Sequence, residues 1–329
     1  MGRVVLEVSN LRVQIKGDEG IARILDRIDF RLDQGRILGV VGESGCGKST
    51  LIRTILGILP DGASIESGRI MFEGEDLLAF SESEMTRTVR GSRIGFIPQD
   101  PYLALNPLFK VGQQILEIMR WHARPMAGPG KPAEQHRKHL IALLRRVQLP
   151  DPEGALERYP HQFSGGQRQR LVIAAALACA PTLVIADEPT TALDVTTQQQ
   201  ILYLLRELVE EFSISMLFVT HDLSVVSELC DDLCVIYAGQ SAEQGPVRAV
   251  LDAPEHPYTR ALLACHPDRS SGFVGIPGAV PSPLRAPPGC RFAPRCPQAM
   301  PACTTRIAGM IPVADDHRVN CLLYEATLG

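Results

Sequence analysis

Several features are missing from this 329-residue chain, and each absence removes a class of protein. There is no long basic run and the formal net charge is −4, which argues against nucleic acid as the main partner. The longest apolar stretch, Leu171 to Ala180, is bounded by Arg170 and Pro181 and falls short of the about 20 residues a bilayer span requires. The N-terminus lacks a charged-then-apolar signal pattern. Together these absences predict a cytosolic chain. No internal repeat is found, so a repeat architecture is excluded. What is present is 45% hydrophobic residues, enough for the core of one large domain or two moderate ones, and nine cysteines. In a cytosolic setting those cysteines read as free thiols or metal ligands rather than disulfides.

The most informative stretch is Gly42-Glu43-Ser44-Gly45-Cys46-Gly47-Lys48-Ser49-Thr50, which fits G-x-x-x-x-G-K-[ST]. Arg36 to Val41 before it reads as a buried strand. Lys48 to Leu59 after it reads as a helix with Leu51, Ile55 and Leu59 on one stripe. Glycines let the backbone curl so that its N–H groups face phosphate oxygens, and the helix N-terminus adds partial positive charge. Lys48 is then placed for the β- and γ-phosphates and Ser49 for Mg²⁺. Cys46 lies beside Lys48 and the helix N-terminus, which predicts a lowered thiol pKa and reaction with alkylating agents.

Further along, strand candidates are Val4 to Val8, Arg27 to Leu32, Arg69 to Phe72, Ile94 to Ile97, Leu183 to Ala186 and Ser215 to Thr220. Helical spacing dominates between residues 100 and 180, as at Leu140, Leu143, Leu144 and Val147, with a Pro/Gly-rich loop from Pro125 to Pro132. Thr196 to Phe212 is a second amphipathic helix. Alternation of strand and helix predicts an α/β fold with a mainly parallel sheet and an inserted helical subdomain. Composition shifts after residue 267, so the domains are placed at 1–267, with the helical part at about 100–180, and 268–329.

Other chemistry-bearing residues follow the loop. The apolar run Leu183 to Ala186 ends in Asp187 and Glu188; the first suits Mg²⁺ through water and the second can orient or deprotonate an attacking water. Phe163-Ser164-Gly165-Gly166-Gln167 precedes a helix expected near Arg168 and forms a second anion site, suited to another subunit's nucleotide; the plain alternative is a Ser-capped helix start. Gln99, after the strand at Ile94, can sense metal or water. His221, after the strand at Ser215, can contact a γ-phosphate.

In this order the motifs resemble the ATPase subunit of an ABC transporter. Walker A is Gly42 to Thr50, the Q-loop residue is Gln99, the signature is Phe163 to Gln167 with Phe where Leu is usual, and Walker B is Leu183 to Asp187. Glu188 is the matching catalytic carboxylate, Ala192-Leu193-Asp194 the D-loop and His221 the H-loop residue. The resemblance implies a P-loop NTPase fold with an N-terminal antiparallel β subdomain. It also implies ATP and Mg²⁺ as ligands, the metal held near Ser49, Gln99 and Asp187, and two subunits closing head-to-tail around two ATP molecules. The family often stacks adenine on an aromatic side chain upstream of Walker A. No aromatic residue occurs from Leu11 to Asp29, so apolar contact is expected from Ile15 or Ile24.

The tail holds Cys290, Cys296, Cys303 and Cys321 at C-x5-C-x6-C-x17-C spacing, punctuated by Pro288, Pro294, Pro297 and Pro301 and interleaved with Arg291, Arg295, Arg306 and Arg318. Prolines fix the turns, cations can offset thiolate charge, and a metal would stabilise a segment with little core of its own. Gly289-Cys290-Arg291-Phe292, Pro294-Arg295-Cys296-Pro297, His317 to Cys321 and His256 to Leu263 resemble oligopeptide and dipeptide importer ATPases. That resemblance implies a Cys-rich C-terminal extension whose four cysteines hold a [4Fe-4S] cluster, ranked ahead of Zn²⁺ and of free thiols; the absence of a C-x2-C pattern lowers zinc. His317 is placed near that site as a hydrogen-bonding partner. Cys179, Cys230, Cys234 and Cys265 read as packing residues.

The function expected is ATP hydrolysis that energises import of di- or oligopeptides, with nickel-chelate and glutathione-type cargo as the alternative. The partners implied are a second ATPase subunit, different in kind, two transmembrane permease subunits and an extracytoplasmic substrate-binding protein, and no nucleic acid. The location implied is the cytoplasmic face of the inner membrane. A soluble ABC protein acting on nucleic acid or the ribosome ranks lower, because such chains usually join two ATPase units. A non-hydrolysing regulator is disfavoured by Glu188.

Overall fold

The structure, a computed structural model, describes residues 3–123, 131–265 and 275–328. The Pro/Gly-rich loop expected from Pro125 lies outside the described residues up to 130, as does the domain boundary expected at 267. In chain order the strands are β1 (Val4–Gly17), β2 (Gly20–Asp33), β3 (Ile37–Val41), β4 (Ala63–Phe72), β5 (Glu75–Asp76), β6 (Ile94–Ile97), β7 (Leu183–Asp187), β8 (Ser215–Thr220), β9 (Asp232–Tyr237), β10 (Gln240–Pro246), β11 (Ile311–Ala314) and β12 (His317–Val319). The α-helices are α1 (Lys48–Ile55), α2 (Glu82–Glu84), α3 (Val111–His122), α4 (Pro132–Arg146), α5 (Pro152–Ala155), α6 (Gly165–Leu177), α7 (Val195–Phe212), α8 (Leu223–Leu229), α9 (Val247–Asp252) and α10 (Pro257–Ala264). The chain forms two compact units, one of residues 1–79 with 219–329 and the other of residues 80–218.

In the first unit, β1 pairs antiparallel with β2 on one side and β4 on the other, which is why it runs on to Gly17, well past the Val4 to Val8 run. Buried and half-buried positions alternate along β2 from Asp26 to Asp33, as strand geometry with one better-covered face requires. β3 is different. All five of its residues are buried, and it runs parallel to β9. Outward from the parallel β3–β9 pair the partners are antiparallel: β10 first, then β12 and β11 from the tail. α1 stops at Ile55 rather than Leu59 because Gly57 takes φ +65° and Pro60 follows.

In the second unit, β6 and β7 are parallel neighbours, with Ile94 opposite Leu183 and Ile97 opposite Ala186. Helices α3, α4, α6 and α7 bury apolar stripes around them, including Ile115, Leu144, Leu171 and Leu205. α6 starts three residues earlier than Arg168. Ser164 caps it, accepting the Gln167 N–H, while Gln167 Oε1 accepts the Ser164 N–H.

Candidate nucleotide site

The loop between β3 and α1 curls tightly for reasons read from its glycines. A side chain at Gly42 would meet the Ile236 carbonyl oxygen at 2.1 Å, so β9 leaves room for backbone alone. Gly45 and Gly47 take φ +78° and +102°, in the left-handed region that favours glycine. The Cys46 N–H donates to the Glu43 carbonyl at 3.1 Å, and the Leu51 N–H donates to Gly47 at 2.9 Å. Lys48 is buried, and its Nζ donates to the carbonyls of Gly42 (2.8 Å) and Glu43 (3.4 Å). No side chain caps α1 and no acidic residue stands in its first turn. An uncapped helix start behind a glycine curl, with a cation folded over it, fits a phosphate chain. Ser49, Ser44 and Gly45 are exposed at this mouth and Thr50 is half-buried. Of the two candidates for adenine contact, Ile24 flanks the loop: its Cγ2 lies 3.6 Å from where a Gly47 side chain would begin.

Cys46 is a correction. It is buried, and burial raises its thiol pKa against the opposing pull of Lys48, so the expected reactive thiolate is absent.

In the second unit, the parallel register brings Gln99 and Asp187-Glu188 to the C-terminal ends of adjacent strands, where α/β folds place their ligands. Gln99 Nε2 donates to Glu188 Oε2 at 3.3 Å, and the Thr191 hydroxyl donates to the same oxygen at 3.2 Å. Glu188 holds φ +45°, a backbone setting that non-glycine residues rarely adopt. Asp187 closes β7, half-buried.

The signature and the D-loop are also together. A side chain at Gly166 would meet Thr197 Cγ2 at 2.8 Å, and one at Gly165 would face the Tyr102 hydroxyl at 3.3 Å. Asp194 caps α7, accepting the Thr197 N–H at 3.0 Å and its hydroxyl at 2.7 Å; these bonds hold the carboxyl below its ordinary pKa. The Arg168 guanidinium sits 4.3 Å from the Tyr102 ring centroid, tying the segment after Gln99 to the signature helix. His221 is exposed directly after β8, in the first unit.

Three residues that sequence reasoning did not connect with the loop touch it or its contacts. The Glu43 N–H donates to the Tyr258 hydroxyl at 3.2 Å, and the Glu43 carboxylate pairs with Arg295 Nη1 at 3.1 Å. Tyr237 receives a second Arg295 bond at 3.0 Å and packs on Tyr258, ring centroids 4.5 Å apart.

The tail cysteines bring a second correction. Among the described residues, no group of three or more His, Cys, Asp or Glu side chains is placed to hold a metal ion, so neither the iron–sulfur cluster nor zinc has a site. All nine cysteines are free thiols. Cys303 joins Ala293 and Leu322 in a small apolar cluster with Cys290, Met300 and Ala308 against it. Burial pushes the Cys290 thiol up to about 11 and raises Cys296 and Cys321 as well, so these sulfurs keep their protons. The expected metal core is a thiol-lined hydrophobic core. His317 serves another group: its Nε2 lies 2.7 Å from the fully buried carboxylate of Glu243.

Comparison with known proteins identifies the family. The ABC transporter family pattern matches residues 25–191, and the pattern described as the oligopeptide/dipeptide transporter C-terminal region matches residues 242–303. A probable peptide ABC transporter ATP-binding protein of Sinorhizobium fredii is 45% identical over 97% of this chain and 94% of its own length. The dipeptide transport ATP-binding protein DppD of Bacillus subtilis is 42% identical over 98% of this chain and 95% of its own. Among solved structures, the ATP-binding cassette MJ0796, a dimer in a post-hydrolysis state with ADP and phosphate, matches with a TM-score of 0.63 at 28% identity, covering 74% of this chain and 99% of that one. CbiO1 of Clostridium perfringens, part of the ABC transporter complex cbiONQ, matches with a TM-score of 0.64 at 29% identity over 76% of this chain and 92% of that one. The chain belongs to the ABC transporter family, among the ATP-binding proteins of its peptide transporters.

Proposed function

We propose that this chain hydrolyses ATP to energise the import of di- or oligopeptides through a membrane permease. The reading is supported by an uncapped phosphate loop around Lys48 in the first unit and, within the second, by a Gln99–Glu188 contact at the ends of two parallel strands. In this reading Gly42 to Thr50 cradle the triphosphate through backbone N–H groups, and Lys48 exchanges the Gly42 carbonyl for phosphate oxygens. Ser49, Gln99 and Asp187 are the residues that would hold Mg²⁺, which would supply charge neutralisation at the phosphates. Glu188, held by Gln99 and Thr191, orients the attacking water and accepts its proton. Ser164, Gly165, Gly166 and Gln167, with Asp194 behind them, serve the nucleotide of a second ATPase subunit, and His221 reaches for the γ-phosphate. We favour a second subunit of different sequence.

Transport needs a membrane partner: among the described residues no helix is long and apolar enough to cross a bilayer. Large apolar side chains stand exposed just beyond Gln99, with Leu103 85% and Leu108 79% accessible, and they suit the cytoplasmic helices of permease subunits. A substrate-binding protein would deliver the peptide, and the chain would sit peripherally on the cytoplasmic face of the membrane.

The test is Glu188→Gln in the assembled transporter. Hydrolysis should fall close to zero while MgATP stays bound. Turnover at the wild-type rate would assign the water to another group. Lys48→Ala should weaken nucleotide binding itself, separating the two roles.

A further inference from the structure

Glu43 puts a carboxylate inside a loop built to receive a polyanion. Left unpaired, that charge opposes the triphosphate. The tail removes it. Arg295, its side chain 5% exposed, turns Nη1 to both Glu43 oxygens (3.1 and 3.4 Å) and to the Tyr237 hydroxyl. Its Nε donates to the Pro277 carbonyl at 3.0 Å and its Nη2 to the Ile276 carbonyl at 2.8 Å, so the guanidinium has one orientation available. Tyr258 holds the same residue from the backbone side. The tail has anchors of its own: Arg291 on the Ala238 carbonyl, Asn320 Nδ2 on the Ser241 carbonyl at 2.9 Å, and His317 on Glu243. Removing the Arg295 charge therefore leaves the tail docked.

We propose that Arg295 is a positioning residue for nucleotide binding, which draws the Glu43 carboxylate away from the triphosphate and neutralises it. The C-terminal segment thereby sets the ATP affinity of the phosphate loop. This rests on the ATPase reading above.

MgATP titration calorimetry on the purified chain tests it. If the wild-type chain binds no MgATP, the ATPase reading fails and the inference goes with it. With wild-type binding in hand, Arg295→Met should weaken affinity about tenfold and Arg295→Lys about twofold at most. Arg295→Met combined with Glu43→Gln should recover most of the loss, because no carboxylate is left to repel the ligand. A role confined to fold stability would lower the melting temperature of both Met variants alike and give no recovery. Wild-type affinity in Arg295→Met, or a double variant as weak as the single, overturns the proposal. Should Arg295→Met not fold, Glu43→Gln alone decides: it leaves the Arg295 cation unopposed and should tighten MgATP binding, whereas weaker binding overturns the idea.

Discussion

Replacing Gly42 by alanine adds one methyl group where the neighbouring backbone leaves no room. That carbon would lie 2.1 Å from the Ile236 oxygen and 2.7 Å from Cys46 Sγ. Carbon–oxygen contacts ordinarily begin at about 3.3 Å, so something must move by about 1 Å. The oxygen belongs to β9, which the register Val40 to Cys234 and Val41 to Val235 locks to β3, so neither strand yields alone. Overpacking a core costs about 1–3 kcal/mol, and a backbone collision belongs at the upper end, about 3 kcal/mol. At about 2–4 °C per kcal/mol for a chain of this size, the melting temperature should fall by about 6–12 °C. Gly45→Ala is the internal control. It meets open space and suffers only from φ +78°, a cost of about 1 kcal/mol. Thermal unfolding followed by circular dichroism, with MgATP titration on each variant, separates collision from strain. Gly42→Ala melting within about 1 °C of wild type and binding MgATP normally would refute the claim that close backbone approach requires glycine here.

Two further outcomes are expected. Cys46 should alkylate slowly with maleimide at neutral pH, at a rate that rises under mild denaturant; rapid modification of the native chain, located by peptide mass, would contradict its burial and raised pKa. Burial pushes His256 down to about 4, so between its ordinary 6.5 and 4 the unfolded chain takes up a proton that the folded chain refuses. Stability therefore falls as pH drops through that window, by about 3 kcal/mol in full. Glu243 acts in the same direction. Burial raises its pKa, but the bonds from His317 and the Glu255 and His256 N–H groups outweigh that and hold it below the usual value, so its contribution is lost at still lower pH. Urea midpoints from pH 7 to pH 4 check this, and His256→Asn should flatten the slope in the upper part of the range.

Much of the scaffold was legible because it is locally encoded. Leu183 to Ala186 and Met216 to Val219 are unbroken apolar runs inside strands, the mark of strands buried on both faces. Ile94 to Ile97 emerged with the expected ends. Boundaries slipped where punctuation was overlooked: Gly57 and Pro60 end α1 early, and the Ser164–Gln167 box starts α6 early. Within the second unit, the Gln99–Glu188 contact followed from two residues each placed after a strand. The links from Glu43 to Tyr258 and Arg295 were not legible, since 215 and 252 positions separate the partners and no local pattern joins them. Both cysteine readings failed on burial, and the tail set also lacks, among the described residues, a group placed to hold a metal. Spacing and neighbouring cations describe charge, whereas the protonation of Cys46 and Cys290 is decided by burial, which no short window reports.

The pairing of β12 with β10 has a consequence for solubility. Without its last twenty residues the cassette would present β10 as bare backbone, with donors and acceptors around Glu243 and Gln244 open to any extended peptide. The border that replaces it, β11, is four residues long and includes Pro312, which has no amide hydrogen to offer a stranger. The tail thus fences the sheet as well as gripping the loop, and a shortened chain would be expected to clump before it unfolds.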